Sequence, residues 1–317
     1  RVRRDANQDT PLPPEMPAGE NPPNGAVIDY YLKSAPSGDI TLAITDAAGN
    51  LVRQFSSAPM AESTELPPPV PSYWLGRPRP LTKNVGMNRF VWDLRYTPPM
   101  ALRHEYPISA LYGDTPADPR GPLVVPGRYE VTLTVNGQTY KHHLRVQLDP
   151  RVNAAKSDLT QQLNLDRKIV SAVTASYQAH QQVADLRAQL ADREKSLAQN
   201  ASAKDALAAA KEFDQKAEKV EGKEGGGFRF GKPKPSFAIL NNEFGGLASD
   251  VDGADMPPTE AMRTAYHDYC QDLNTTLAKW NDLKASDLAA LNTQLTNAHL
   301  QPLPAPAAAP ADPSCGK

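Results

Sequence analysis

Proline is the residue that most limits what this chain can become. Of its 31 prolines, 22 fall in residues 1–150 and nine in the longer remainder. Each removes a backbone donor and fixes φ, so a proline-dense half builds short strands and ordered loops in preference to long helices. The second half is rich in Ala, Leu, Gln, Lys and Asp, mostly good helix formers, with Asp suited to caps and turns. Strand-like alternation stops and helical spacing begins at Asp149-Pro150, which predicts a boundary there. Two domains also suit a chain of 317 residues, at roughly one per 100–200 residues.

The ends differ from the body. Residues 5–24, DANQDTPLPPEMPAGENPPN, hold six prolines and almost nothing that could join a core, so residues 1–24 read as an extended Pro-rich linker. Arg1 stands where Met would, and no charged-then-apolar leader follows it, so the chain reads as an interior piece of a longer protein. Residues 301–317, QPLPAPAAAPADPSCGK, have a similar Pro/Ala character and are expected to form a disordered tail.

Between these ends, period-2 patterning predicts strands at 26–32, 40–46, 51–55, 87–94, 128–135 and 138–147. Ala48-Gly49-Asn50 joins the second and third. Asn136-Gly137, the strongest short hairpin signal, joins the last two. Several short strands with turns and no helix between them predict a β-sandwich over 25–150. Its long loops, 57–85 and 97–126, carry Tyr73, Trp74, Tyr106 and Tyr112. These rings either cover the sandwich edges or form a docking surface for a neighbouring domain, with a sugar-stacking site as the lesser alternative.

The second half is expected to be helical over 151–300. Leu159, Leu163, Val170, Val173, Tyr177, Ala184 and Leu190 make one apolar stripe along 157–198, roughly 60 Å at about 1.5 Å per residue. Met262, Tyr266, Tyr269, Leu273, Leu277, Trp280, Leu288, Leu291 and Leu295 make another along 259–298. Equal lengths and facing stripes predict an antiparallel pair. Shorter helices are expected near 202–220 and 236–250, separated by a Gly-rich loop at 221–235. That loop lacks the GxxxxGK[ST] spacing and any strand leading into it, so it is no phosphate loop.

No chemistry-bearing constellation assembles. A net charge of -2 and a pI near 6.3 supply no basic footprint for nucleic acid or for an anionic membrane surface. No run of about 18 apolar residues could span a bilayer. His142 and His143 alternate faces of one strand, and His180 and His267 stand alone on helices, so no metal site is expected. No carboxylate pair stands out as acid and base. The site reading is therefore no catalytic, cofactor-binding or metal-binding residue. The two cysteines leave two readings open: in an exported protein Cys315 bonds to Cys270 and pins the tail, or Cys270 is a buried free thiol.

Several segments carry a family resemblance. DANQDTPLPPEMPAGENPPNGAVIDYY at 5–31, GMNRFVWDLRY at 86–96, YPISALYGDTP at 106–116, PGRYEVTLTVNGQTY at 126–140, LDPRV at 148–152 and PPTEAMRTAY at 257–266 resemble the region after the β-propeller in bacterial exported proteins of the BNR-repeat, sortilin (Vps10)-like type, often labelled glycosyl hydrolases. Residues 26–148 also resemble an immunoglobulin-like domain of the FlgD type, in which Trp92 and Asp93 form a Trp-Asp strand and Gly127 to Val135, with Asn136 and Gly137, close the final hairpin. The resemblance implies an all-β Ig-like sandwich followed by an all-α antiparallel helical bundle, with structural roles for Trp92, Asp93, Gly127, Asn136 and Gly137. The propeller, where any hydrolase chemistry would reside, is missing from this chain. The implied function is a non-catalytic accessory module, secreted, periplasmic or at the cell surface. It would dock on and stabilise a propeller domain or chain of the same protein. The alternatives are a carbohydrate-binding or adhesion module, with a glycan as partner, and a helical assembly module.

Overall fold

The computed structural model describes residues 1–3, 9–13, 15–17, 19, 22–59, 69–76, 80–107, 113–200, 203–223, 234–306 and 315. The chain divides into two compact units. One comprises Arg1–Pro98, His104–Asp166 and Asp252–Pro257; the other comprises Pro99–Arg103, Arg167–Val251 and Pro258–Lys317.

The first unit holds strands β1 (Ala26–Leu32), β2 (Thr41–Asp46), β3 (Leu51–Ser56), β4 (Gly86–Trp92), β5 (Gly127–Val135) and β6 (Gln138–Val146). β1 and β4 form a two-stranded antiparallel sheet, and the others form a four-stranded antiparallel sheet in the order β3-β2-β5-β6. Alternate residues point inward, as a strand periodicity of two requires. Tyr30, Leu32, Phe90 and Trp92 of the small sheet join Leu42, Ile44, Val52, Tyr129 and Val131 of the large one in a single core. Trp92 is fully buried. Its indole donates to the Arg95 carbonyl at 3.0 Å and meets the Tyr129 ring edge-on at 5.7 Å. Gly25 (φ 144°) makes that placement possible, because a Cβ there would lie 2.0 Å from the Trp92 carbonyl oxygen. Asn136 and Gly137 both take positive φ, 49° and 79°, the requirement of a two-residue hairpin turn whose twist matches its strands.

The helices are α1 (Lys156–Ala198), α2 (Lys204–Glu221), α3 (Phe237–Asp252), α4 (Glu260–Asp282) and α5 (Leu288–Asn297), the last two joined by a π-helical turn, Leu283–Asp287. Thr259 caps α4, its hydroxyl accepting from the Met262 amide. Within the second unit, His180 faces Glu221 and Arg187 pairs with Asp214, so α2 runs antiparallel to α1. In α3, Asn241 donates to the Val173 carbonyl (2.8 Å) and the Ser176 hydroxyl (3.0 Å) and accepts from the Leu102 amide (2.8 Å). Asn241 and Ser176 are both buried.

Two expectations are corrected. The chain is a mixed α/β fold, not an all-β Ig-like sandwich followed by an all-α antiparallel helical bundle. Helix makes up about 44% and strand 19% of the described residues, with the strands in two small sheets. A sandwich would need further strands from 57–85 and 97–126. There the described residues give only isolated bridges, Leu75 with Thr115, Arg95 with Leu123 and Glu105 with Asp118, because proline-rich backbone lacks the donors for a ladder. The first unit also takes in the opening turns of α1 and the 252–257 link, so strands and helix share one unit. The second correction concerns the two long helical segments. Lys168 lies over the Tyr266 ring and Trp280 donates to Gln182. Both pairs have the same sequence offset, so α4 runs parallel to α1. Facing stripes carry no direction; α2 and then α3 return the chain to the start of α1 before α4 begins.

Candidate functional site

The first unit gathers charge from segments far apart in sequence. Asp252 accepts from Arg95 Nη2 at 2.7 Å and from the Arg3 guanidinium at 3.4 Å, with Arg120 at 3.7 Å. Asp255 accepts from Arg1 Nη2 at 2.5 Å and Arg3 Nε at 2.8 Å. Spare guanidinium donors reach backbone: Arg95 Nη1 to the Gly121 carbonyl and Arg1 Nη1 to the Val124 carbonyl, each at 2.8 Å. Arg120 Nε pairs with Asp118 at 2.8 Å, a carboxyl that burial pushes up against the pull of Arg120. Gln162 in the opening turns of α1 donates to the Ala254 carbonyl at 2.6 Å.

Asp166 is the exception in this cluster. It is 4% exposed, and its Oδ1 has no hydrogen-bond partner among the described residues. The neighbouring guanidinium groups already serve Asp252 and Asp255. Burial first, then the charge of Asp252, pushes the Asp166 carboxyl up to about 8, with Arg95 and Arg3 opposing; desolvation penalises the ionised form. The side chain is therefore a neutral acid at pH 7. The unfolded chain ionises it at about 3.9, so between about 4 and 8 the folded state holds a proton the unfolded state has lost. Stability accordingly falls as pH rises through that window and is flat above it. Asp166→Asn is expected to abolish this slope and to raise stability at pH 8 by on the order of 5 kcal/mol, with no gain at pH 4. Urea midpoints of both proteins across pH 4–9 read the effect, and parallel profiles would refute it.

The residues singled out from sequence are scattered. Tyr73 and Trp74 lie half-buried on a 3-10 turn, Ser72–Trp74. Hydrogen bonds from Gly113 to Tyr73, from Thr115 to Trp74 and from Gly76 to Thr115 hold this turn against 113–115. Their rings stand at 87° to each other with centroids 6.3 Å apart, not the coplanar, open platform that stacks on a sugar. Tyr106 is half-buried beside the Glu105–Asp118 bridge, and Tyr112 lies outside the described residues. Asp93 receives Arg53 Nη1 at 3.0 and 3.1 Å. Gly127 opens β5 opposite Val146. A Cβ there would meet nothing nearer than 3.9 Å, so space does not demand glycine. Cys270 and Cys315 form a disulfide; the Cys315 carbonyl lies 2.9 Å from His267 Nδ1.

The surface feature that the loop aromatics obscured lies on the small sheet. Its outward rows pair Val27 with Val91, Asp29 with Arg89 and Tyr31 with Met87. Val27, Tyr31 and Met87 are 42%, 65% and 68% exposed. The Asp29–Arg89 pair between the apolar rows is bidentate, at 2.8 and 3.0 Å. Alternation along 26–32 and 87–92 contained this signal, since Val27, Tyr31 and Met87 occupy positions that polar residues fill on a solvated face. Among the described residues, no group of three His, Cys, Asp or Glu side chains has an arrangement that could hold a metal ion, and no helix is long and apolar enough to cross a membrane. An open groove of about 320 Å³ in the second unit is lined by Glu243, Asp250 and Tyr269 among others. Burial and hydrogen bonding to Glu243 push the Tyr269 phenol up to about 12. Comparison of the chain with protein-family models, curated proteins and solved structures finds no match.

Proposed function

We propose that the chain is a non-catalytic accessory module of an exported bacterial β-propeller protein, docking on the propeller and stabilising it through the outer face of β1 and β4. The carrying observation is the exposure of Val27, Tyr31 and Met87 around the Asp29–Arg89 pair. An apolar patch with a charged pair at its centre gains from burial at roughly 25 cal/mol per Å² of apolar surface, and such patches mark interaction sites. The propeller as partner rests on the sequence resemblance of 5–31, 86–96 and 106–152. The sugar-binding alternative loses its motivation in the edge-on, half-buried Tyr73 and Trp74 rings. The assembly alternative loses its own, since among the described residues no large apolar side chain of α1–α5 is exposed.

The test is binding of this chain to the purified propeller of the same protein, followed by calorimetry, with Tyr31→Asp/Met87→Asp alongside. The variant is expected to bind at least tenfold more weakly and to unfold at the same urea concentration, because neither side chain enters the core. Equal binding by both proteins, or glycan turnover by this chain alone, would remove the reading.

A further inference from the structure

The two edges of the four-stranded sheet are built differently. β3 is short, six residues, with a register shift between Ile44 and Thr45 in its pairing with β2. A bond from the Leu81 amide to the Ser56 carbonyl further occupies its end. Such devices blunt an edge against pairing. β6 is longer and more regular: it runs nine residues without proline, in unbroken register with β5, and Gln138–His143 are all exposed. The Arg1 backbone occupies this edge only past the strand's end, donating to the Gln147 carbonyl and accepting from the Asp149 amide. No described residue pairs with its other edge.

The hairpin fixes which backbone groups face outward. In a two-residue hairpin the residues flanking the turn, Val135 and Gln138, form a hydrogen-bonded pair, and the pairs alternate from there. Thr139, Lys141, His143 and Arg145 therefore direct their N–H and C=O groups away from β5. The side chains of these four share the outer sheet face, opposite Thr134, Thr132, Glu130 and Arg128. Tyr140, His142 and Leu144 lie on the inner face, with Tyr140 57% exposed. The one acidic neighbour, Glu130, is already paired with Lys141 at 2.8 Å.

We propose that β6 is a strand-addition site for an extended segment of another chain, in which acidic residues alternate with apolar ones. Backbone pairing supplies the affinity and alternate side chains supply the choice of partner. Acidic side chains meet Lys141, His143 and Arg145 on one face, and apolar ones cover Tyr140 and Leu144 on the other. A second copy of this chain is the wrong occupant, since edge-to-edge pairing would set Lys141 and Arg145 against their own counterparts, and like charges across strands repel. This surface is separate from the β1–β4 face, and its test needs no propeller.

The probe is a fluorescent seven-residue peptide alternating Glu and Val, titrated against the whole chain by anisotropy, with a Lys/Val peptide and a scrambled Glu/Val peptide as comparisons. The alternating acidic peptide is expected to bind at least tenfold more tightly than either comparison, and more weakly as salt rises. Lys141→Glu/Arg145→Glu is expected to reverse the order of the Glu/Val and Lys/Val peptides. His143→Pro removes an outward donor without touching the β5 ladder and is expected to lose peptide binding while circular dichroism stays unchanged. Equal binding of the three peptides, unchanged preference in the charge-reversed variant, or a concentration-dependent dimer abolished by His143→Pro would overturn the proposal.

Discussion

Cys315→Ser is expected to destabilise the second unit by about 4 kcal/mol. The bond closes a loop with a sequence separation of 45, and the chain-entropy relation gives about that figure for a loop of such length. Cys315 is the better position to change because Cys270 is fully buried, where a thiol remains acceptable as a small apolar group while a hydroxyl would lack a partner. Urea unfolding followed by helical circular dichroism, with and without a dithiol reductant, reads the loss. Reduced wild type should match the oxidised variant. Intact mass under non-reducing conditions supplies the control, since the bonded protein is two hydrogens lighter. Two alkylatable thiols in the native, oxidised protein would sink the prediction.

Trp92→Ala should cost the first unit about 3–5 kcal/mol, the usual range for deleting a buried indole. The side chain is fully buried against both sheets, so its removal leaves a cavity that inward residues on either side cannot collapse to fill. Trp92→Phe separates the packing part from the polar part. It retains a ring against Tyr129 but strands the Arg95 carbonyl, at about 1–3 kcal/mol. Because the chain has two compact units, a single global midpoint would mix them. Amide hydrogen exchange in β2 and β5 is therefore the measurement, and unchanged protection there in Trp92→Ala would contradict the assignment of Trp92 to the core.

What the sequence revealed and what it concealed follow from the range of each interaction. Strand alternation at 26–32 and 40–46, and the Asn136-Gly137 turn, are local, and the observed strands fall on those positions. So does α1, Lys156–Ala198, where the apolar stripe ran from 157 to 198. Sheet partners are not local. Long proline-bearing loops between β3 and β4 and between β4 and β5 are compatible with a sandwich on sequence alone, whereas their described residues give only isolated bridges. Helix direction was equally hidden, because a stripe at Leu273 and Leu277 looks the same from either end. The charge cluster was least legible of all. Arg1, Arg95, Arg120, Asp166 and Asp252 share no spacing, and each alone resembles an ordinary solvated charge. Tyr73 and Trp74 stand out in sequence as loop aromatics, whereas the exposed Tyr31 and Met87 sit within regular strands and differ from core residues only in the parity of their positions.

Asn241 sets a limit on how far the helical packing could drift. Apolar contacts along α1 tolerate sliding, since one Leu or Ala is replaced by another a turn away. The buried Asn241 carboxamide does not, because it joins Val173, Ser176 and the peptide group of Leu102 at once, and a slip of one turn would break all three bonds and leave the carboxamide without those partners. It works as a keyway cut into an otherwise smooth shaft: it adds little grip, but it permits only one axial setting.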